Sequence, residues 1–355
     1  MSETAPVRPG EEIELGALNS YLATYAPEVG RVESIEQFSG GFSNLTYLLE
    51  TDRDAFVLRR PPRGVGKGPA HDVAREYRIL SVLATRGVKV PQPVLLCEDD
   101  LVIGAPFYLM ERVRGVILRR VPSNPPPPAV LRGLSASFVE TLVAIHAIDP
   151  TDPAVAGLGK PDGYVARQVS GWSRRWEVAQ TDDVPSMLRV AGWLASALPP
   201  ERAPALVHND FKYDNLVLDP SDLSRVRAVL DWEMATLGDP LLDVGTTLGY
   251  WVEAGDHPAL LALGLGATAL AGNFTRAELW DRYCERSNCG RVDPLYYYVF
   301  GLFKIAVIAQ QIFFRYRKGL TADPRFARLG EAVRLLGATA ERAVARGVIS
   351  SAAPS

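Results

Sequence analysis

His208-Asn209-Asp210-Phe211-Lys212-Tyr213-Asp214-Asn215 runs into an apolar Leu216-Val217-Leu218, a turn at Asp219-Pro220, and a second apolar run that closes at Leu230 before Asp231-Trp232-Glu233. Two short apolar runs around a turn former read as a β-hairpin. Closing that hairpin brings its polar ends together, so Asp210, Asn215 and Asp231 are expected around one point. The residue types suit phosphoryl transfer. Asp210 is a carboxylate that can orient an attacking hydroxyl, and the hard oxygens of Asn215 and Asp231 can hold magnesium on a nucleotide's phosphates.

Upstream of this stretch the pattern is strand-rich. Val32–Phe38, Thr46–Glu50 and Ala55–Arg59 are β-compatible runs separated by Gly40-Gly41 and by Asp52-Arg53-Asp54. Residues 70–85 place Val73, Tyr77, Leu80 and Leu83 at helical spacing and stop near Gly87, and further strands are expected near 94–97 and 106–111. From Leu131 the period turns helical, with Leu134, Phe138, Leu142 and Ile145 on one face. Strands, one helix, strands and then a helix-rich remainder give an α+β class. The expected division is a tail and leading helix over 1–30, a nucleotide-binding lobe over 31–112 and a catalytic, acceptor-binding lobe over 113–348, with a hinge at Glu111–Gly115. Clefts between two such lobes are favoured ligand sites.

Composition narrows the possible partners. Over 355 residues the formal net charge is −3, with acids and bases interspersed, which argues against nucleic acid. Cys97, Cys284 and Cys289 form no C-x-x-C pair, so neither a disulfide framework nor a zinc site is indicated and a reducing, cytoplasmic setting is expected. Met1–Gly10 lacks the basic start and apolar run of a secretory signal and reads as a short disordered tail. The apolar stretch Tyr296–Phe314 is broken by Lys304, Gln310 and Gln311, each costly in lipid, and is expected as a buried amphipathic helix rather than a membrane span. Gly64-Val65-Gly66-Lys67-Gly68 imitates a Walker A loop, but Pro61 takes the place of its first glycine and Gly68 that of its Ser or Thr. His71, His146 and His257 lack metal-binding spacing, and His146 reads as a packed structural histidine.

His208-x-Asp210-x-x-x-x-Asn215 followed by Asp231 resembles the catalytic and metal motifs of the aminoglycoside phosphotransferase and choline kinase superfamily, relatives of the protein kinases. Gly238-Asp239-Pro240-x-x-Asp243 is similar to that family's downstream pattern, in which the last aspartate braces the catalytic loop. Asn209 stands where the family more often has glycine. A lone aspartate near a turn is usually a turn former, but several in register at family spacing carry more weight. The resemblance implies a bilobal protein-kinase-like fold, with a small antiparallel-sheet N-lobe and a larger helical C-lobe. It also implies ATP and Mg²⁺ as cofactors, Asp210 as catalytic base and His208 beside it as a brace of the loop.

In the N-lobe, Ser39, Gly40, Gly41, Ser43 and Asn44 form a glycine loop whose backbone N–H groups can approach phosphates. Arg59 occupies the strand position where kinases carry a phosphate-binding lysine, with Glu76 as its partner on the next helix and Glu111 closing the nucleotide-binding set. Arginine keeps the charge on a larger, forked head. Alternation along the strand points Arg60 to the opposite face.

A narrower likeness is carried by Phe38–Tyr47, Phe56–Pro62, residues 70–80, Leu96–Arg112 and Leu230-Asp231-Trp232-Glu233. These are similar to the kinase-like domain that animals fuse to acyl-CoA dehydrogenases and to its bacterial stand-alone relatives. That resemblance implies a small-molecule acceptor, the hydroxyl of a 4-hydroxyacyl-CoA. On residues 293–318, read as one helix, Lys304, Ile308, Gln311, Arg315 and Lys318 make a partly polar stripe, either a solvated face or a groove whose basic groups meet CoA phosphates. Trp251 and Tyr250 either line the acceptor pocket or pack in the core. An aminoglycoside-type kinase is disfavoured because its acceptor calls for an acidic pocket, whereas residues 273–355 are mixed or basic. A regulatory pseudokinase is disfavoured by the intact Asp210, Asn215 and Asp231.

Overall fold

The computed structural model describes residues 3–38, 44–62, 72–264, 266–321 and 323–350. The chain divides into two compact units, the first comprising Met1–Gly115 with Arg227–Ala235 and the second Val116–Val226 with Thr236–Ser355.

The first unit is built on strands Thr4–Ala5 (β1), Val32–Phe38 (β2), Leu45–Thr51 (β3), Ala55–Arg60 (β4), Pro93–Cys97 (β5) and Phe107–Glu111 (β6), with helices Leu15–Tyr25 (α1) and Val73–Thr85 (α2). The strands join in the order β1-β2-β3-β4-β6-β5, every neighbour antiparallel. Because side chains alternate along a strand, Leu45, Tyr47 and Leu49 of β3 share a face, and with Leu58, Phe107 and Leu109 they form a core against Leu18 and Leu22 of α1. Asp72 caps α2 by accepting from the Arg75 amide at 2.8 Å, and the helix buries Glu76, Ile79, Leu80 and Leu83.

The short disordered tail expected at the N-terminus is a correction. Thr4–Ala5 pairs with Gln37–Phe38, and the Glu11 carbonyl accepts from Tyr47 Oη at 2.7 Å and from Arg60. The physical reason is Arg60, whose guanidinium is fully buried and must find acceptors. It donates to the Ile103 carbonyl at 3.1 Å and to Tyr47 Oη at 2.9 Å, and it lies 5.3 Å from the Tyr47 ring centroid. Replacing it strands those oxygens. Arg60→Ala should cost about 2–4 kcal/mol of stability, read as a lower urea midpoint; an unchanged midpoint would show that these bonds do not hold the segment.

The second unit contains helices Pro128–His146 (α3), Pro153–Ala156 (α4), Tyr164–Ala179 (α5) and Pro185–Ser196 (α6), then strands Ala205–Val207 (β7), Leu216–Asp219 (β8), Asp222–Val229 (β9) and Thr236–Gly238 (β10). Helices Pro240–Tyr250 (α7), Pro258–Leu261 (α8), Arg276–Ser287 (α9), Leu295–Arg317 (α10) and Leu329–Arg346 (α11) complete it. β7 pairs with β10, and β8 with β9 makes the hairpin read from the sequence. β9 begins in the second unit and runs on into the first.

α10 packs on α7, α5 and α11. By length and composition α3 and α10 are apolar enough to cross a membrane, yet 78% of the apolar window of α10 is buried inside the protein. Glycine sets how closely α10 approaches α7. A Cβ at Gly301 would run into the Gly245 carbonyl, and one at Gly249 would meet the Gly301 backbone. Gly245 and Gly249 stand one turn apart on one face of α7, so the two backbones touch along a shared line.

Candidate active site

β7 ends at Val207, and α7 receives the loop that follows. Asp243 of α7 accepts from the backbone N–H groups of His208 and Asn209, both at 2.7 Å. One turn on, Thr247 donates to the Phe211 carbonyl at 2.8 Å. His146 of α3 contacts Asp243 at 3.1 Å through Nε2, and its Nδ1 meets Tyr283 Oη at 2.7 Å. Burial alone would raise the Asp243 carboxyl, but the hydrogen bond and charge of His146, with His208 beside it, outweigh burial and hold it below the usual carboxylate range. Asp243 is therefore an anion locked in place.

The loop presents Asp210. Its amide donates to His208 Nδ1 at 3.2 Å, which requires that nitrogen to be unprotonated. Its Oδ2 accepts from Lys212 Nζ at 2.8 Å and from Asn215 Nδ2 at 3.1 Å, and Asn215 Nδ2 also donates to the Asp210 carbonyl at 2.8 Å. Asn215 thus keeps its amide oxygen for another partner. Lys212 Nζ lies 4.5 Å from the Tyr250 ring centroid. Burial opposes the Lys212 charge, yet Tyr250, Asp210 and Asp214 more than offset it and push the amine up, while burial raises the Tyr250 phenol.

Asn209 explains the departure from glycine. Its φ is 67°, in the left-handed region that glycine enters freely and asparagine tolerates. Tyr164 Oη donates to Asn209 Oδ1 at 3.1 Å, and Lys304 Nζ donates to the Asn209 carbonyl at 2.6 Å. Lys304 is 1% exposed, so it is not part of a solvated stripe, and burial pushes its amine down to about 8. Asn209→Gly should keep the turn and most activity. Asn209→Val should cost about 1–3 kcal/mol and lower kcat, so equal kcat and melting temperature for the two variants would remove the backbone argument.

In the first unit, Arg59 and Arg60 leave opposite faces of β4. Arg59 Nη1 contacts Glu76 Oε1 at 2.7 Å, with longer approaches of 3.4 Å to Asp231 and Glu233. Burial pulls the Glu76 carboxyl up while Arg59 pulls it down, and the carboxylates around Arg59 hold its guanidinium charged. Asp231 has φ 65° and a side chain 36% exposed, its carboxylate met at 3.4 Å by Arg59. Tyr108 lies against Glu76, and Arg75 of α2 donates to the Glu233 and Ala235 carbonyls.

The model of the phosphotransferase enzyme family matches residues 34–283. The chain belongs to that family. It is 35% identical over 329 residues to acyl-CoA dehydrogenase family member 11 of Gallus gallus, covering 89% of this chain but 41% of that one. A Ralstonia eutropha crystal structure with a provisional aminoglycoside phosphotransferase name superposes with a TM-score of 0.76 at 29% identity, over 94% of this chain and 99% of that one. An aminoglycoside phosphotransferase solved with GDP and kanamycin shares the fold at 18% identity, with a TM-score of 0.61 over 93% of this chain and 99% of that one. The chain accordingly has the kinase-like fold of the phosphotransferase enzyme family, and it spans less than half the length of the acyl-CoA dehydrogenase relative it matches.

Within this phosphotransferase, the residues singled out from sequence are placed as follows. Asp210, Asn215 and His208 come together in one loop, with His208 fully buried as a positioning residue, and Arg59, Glu76 and Asp231 come together in the first unit. Asn44 is buried and turned toward Glu233 at 3.4 Å, and the Glu111 amide is taken by the Gln92 carbonyl at 2.9 Å. Ser39, Gly40, Gly41 and Ser43 lie outside the described residues. Of the two readings open for Trp251 the structure takes the core one, against the acceptor-pocket assignment: it is 2% exposed, donates to the Phe274 carbonyl at 2.8 Å and packs on Phe138 and Tyr213. Arg315 and Lys318 are exposed on the last turns of α10. Sequence reasoning missed Lys212 altogether and, for Lys304, missed its role as the brace of the Asn209 carbonyl. The first was signalled by a cation two residues past the base, the second by a lone cation in an apolar run.

Proposed function

We propose that this phosphotransferase moves the γ-phosphoryl group of ATP onto a hydroxyl on the acyl chain of a CoA thioester, a 4-hydroxyacyl-CoA. The observation that carries the reaction type is the state of Asp210. One carboxylate oxygen is held by Lys212 and Asn215, and the loop around it is fixed by Asp243, Thr247 and Lys304. This carboxylate, which the Tyr250 phenol also meets, is the group that would accept the acceptor's hydroxyl proton. Lys212, charged and beside that carboxylate, is placed to offset negative charge on a transferring phosphoryl group. Arg59, tied to Glu76, supplies the cation for the nucleotide phosphates.

Asn215 and Asp231 are the residues that would hold Mg²⁺, which when bound neutralises phosphate charge. The donor chemistry fits: both offer hard oxygens. Mg²⁺ takes few protein ligands and relies on substrate phosphates for the rest of its coordination. The acceptor class is supported by the 35% identity to the acyl-CoA dehydrogenase family member. ATP consumption should be measured with 4-hydroxyacyl-CoA, the matching free acid and kanamycin, each against a no-acceptor control. Preference for the thioester is expected; preference for either other acceptor would refute the substrate and leave the kinase reaction standing.

A further inference from the structure

A groove of about 480 Å³ in the second unit is lined from α5 by Arg174, Arg175 and Val178 and from α10 by Gln311, Phe314 and Arg315. Most arginines with a defined partner in this unit meet carboxylates, as Arg189 meets Glu341 and Arg282 meets Glu140. Among the described residues, no carboxylate lies within ion-pair distance of Arg174, Arg175 or Arg315. Three like charges gathered without counter-ions repel one another. Arg175 is fixed over the Trp172 ring at 4.6 Å, and burial, then the charge of Arg174, pull its guanidinium below the usual value. An anion would relieve that repulsion, and forked guanidinium heads match phosphate oxygens.

The groove is also connected to the catalytic loop. Trp172, which carries Arg175 on its ring, lies 5.7 Å from Lys304 Nζ, and Lys304 holds the carbonyl of the residue before Asp210. Along α10 the rise from Lys304 to Arg315 is about 16 Å at 1.5 Å per residue. A compact acceptor cannot touch both ends. An extended one can, with its hydroxyl at Asp210, its phosphates among the arginines and apolar parts against Val178 and Phe314. Lys318, the other basic residue expected here, turns instead onto the Phe314 ring at 5.6 Å.

We propose that the groove formed by Arg174, Arg175 and Arg315 seats the phosphates of the acceptor's extended handle, remote from the reacting hydroxyl. This rests on the thioester reading above. The test compares wild type with the variant carrying Arg174→Ala, Arg175→Ala and Arg315→Ala, and with a variant carrying Arg174→Ala and Arg315→Ala that leaves the Trp172 stack intact. KM for 4-hydroxyacyl-CoA should rise at least about tenfold in both, KM for ATP should hold, and Arg315→Lys should keep part of the affinity. Coenzyme A alone should compete with the thioester in wild type and lose that competition in the variants. Raising salt from about 0.05 to about 0.3 M should weaken thioester binding in wild type far more than in the triple variant. A wild-type KM for the thioester in the triple variant would overturn the groove and leave the substrate reading intact. Failure of the wild-type enzyme to use the thioester would overturn both, and that is read before any variant is made.

Discussion

Asp210→Asn will lower kcat by about 10²- to 10⁴-fold while leaving the KM for ATP within about threefold of wild type. The substitution is close to isosteric, and the asparagine carbonyl can still accept from Lys212 and Asn215, which now meet Asp210 Oδ2 at 2.8 and 3.1 Å. The backbone brackets from Asp243 and Lys304 do not involve the Asp210 side chain. What disappears is the oxygen able to take a proton. Steady-state kinetics with saturating acceptor would show the loss in kcat, and turnover near wild type would mean that another group is the base.

Asp231→Asn should be nearly as damaging, by removing a charge rather than a base. The residue sits at φ 65°, where asparagine is tolerated and alanine is strained, so the amide variant separates the lost charge from a deformed backbone. KM for the magnesium nucleotide should rise on the order of 100-fold, with a matching rise in the Mg²⁺ needed for half-maximal rate. Excess EDTA should abolish activity in the wild-type enzyme. Undiminished turnover in EDTA would eliminate the metal from the mechanism.

The sequence was most informative where structure is decided over short distances. The β2, β3 and β4 runs alternate cleanly between turn formers, so the meander and the opposite faces of Arg59 and Arg60 could be read residue by residue. The β8–β9 hairpin was legible for the same reason. Trp251 was not. It caps α7 one turn beyond a face whose packing is set by Gly245, Gly249 and Gly301, and nothing local says which way its ring turns. Lys304 was visible as an anomaly in an apolar run, but its partner is a carbonyl 95 residues away. Arg174 and Arg175 drew no attention because two adjacent arginines on an amphipathic helix look like an ordinary solvated face. Only the approach of α10 brings Arg315 alongside them. The N-terminal segment misled because its anchor, Arg60, lies far along the chain from the Glu11 carbonyl it grips.

The return of residues 227–235 to the first unit governs how this enzyme can be taken apart. A gene fragment ending at Gly115 would encode the sheet and α2 but omit Asp231 and Glu233, leaving Arg59 with Glu76 as its remaining carboxylate and Arg75 without the carbonyls it holds. It would also forfeit the bond from the Val229 amide to the Lys89 carbonyl. Fragment complementation by a cut at the apparent hinge is therefore the wrong dissection. A circular permutant or a split that keeps 227–235 covalently attached to the sheet respects the way the polypeptide is threaded.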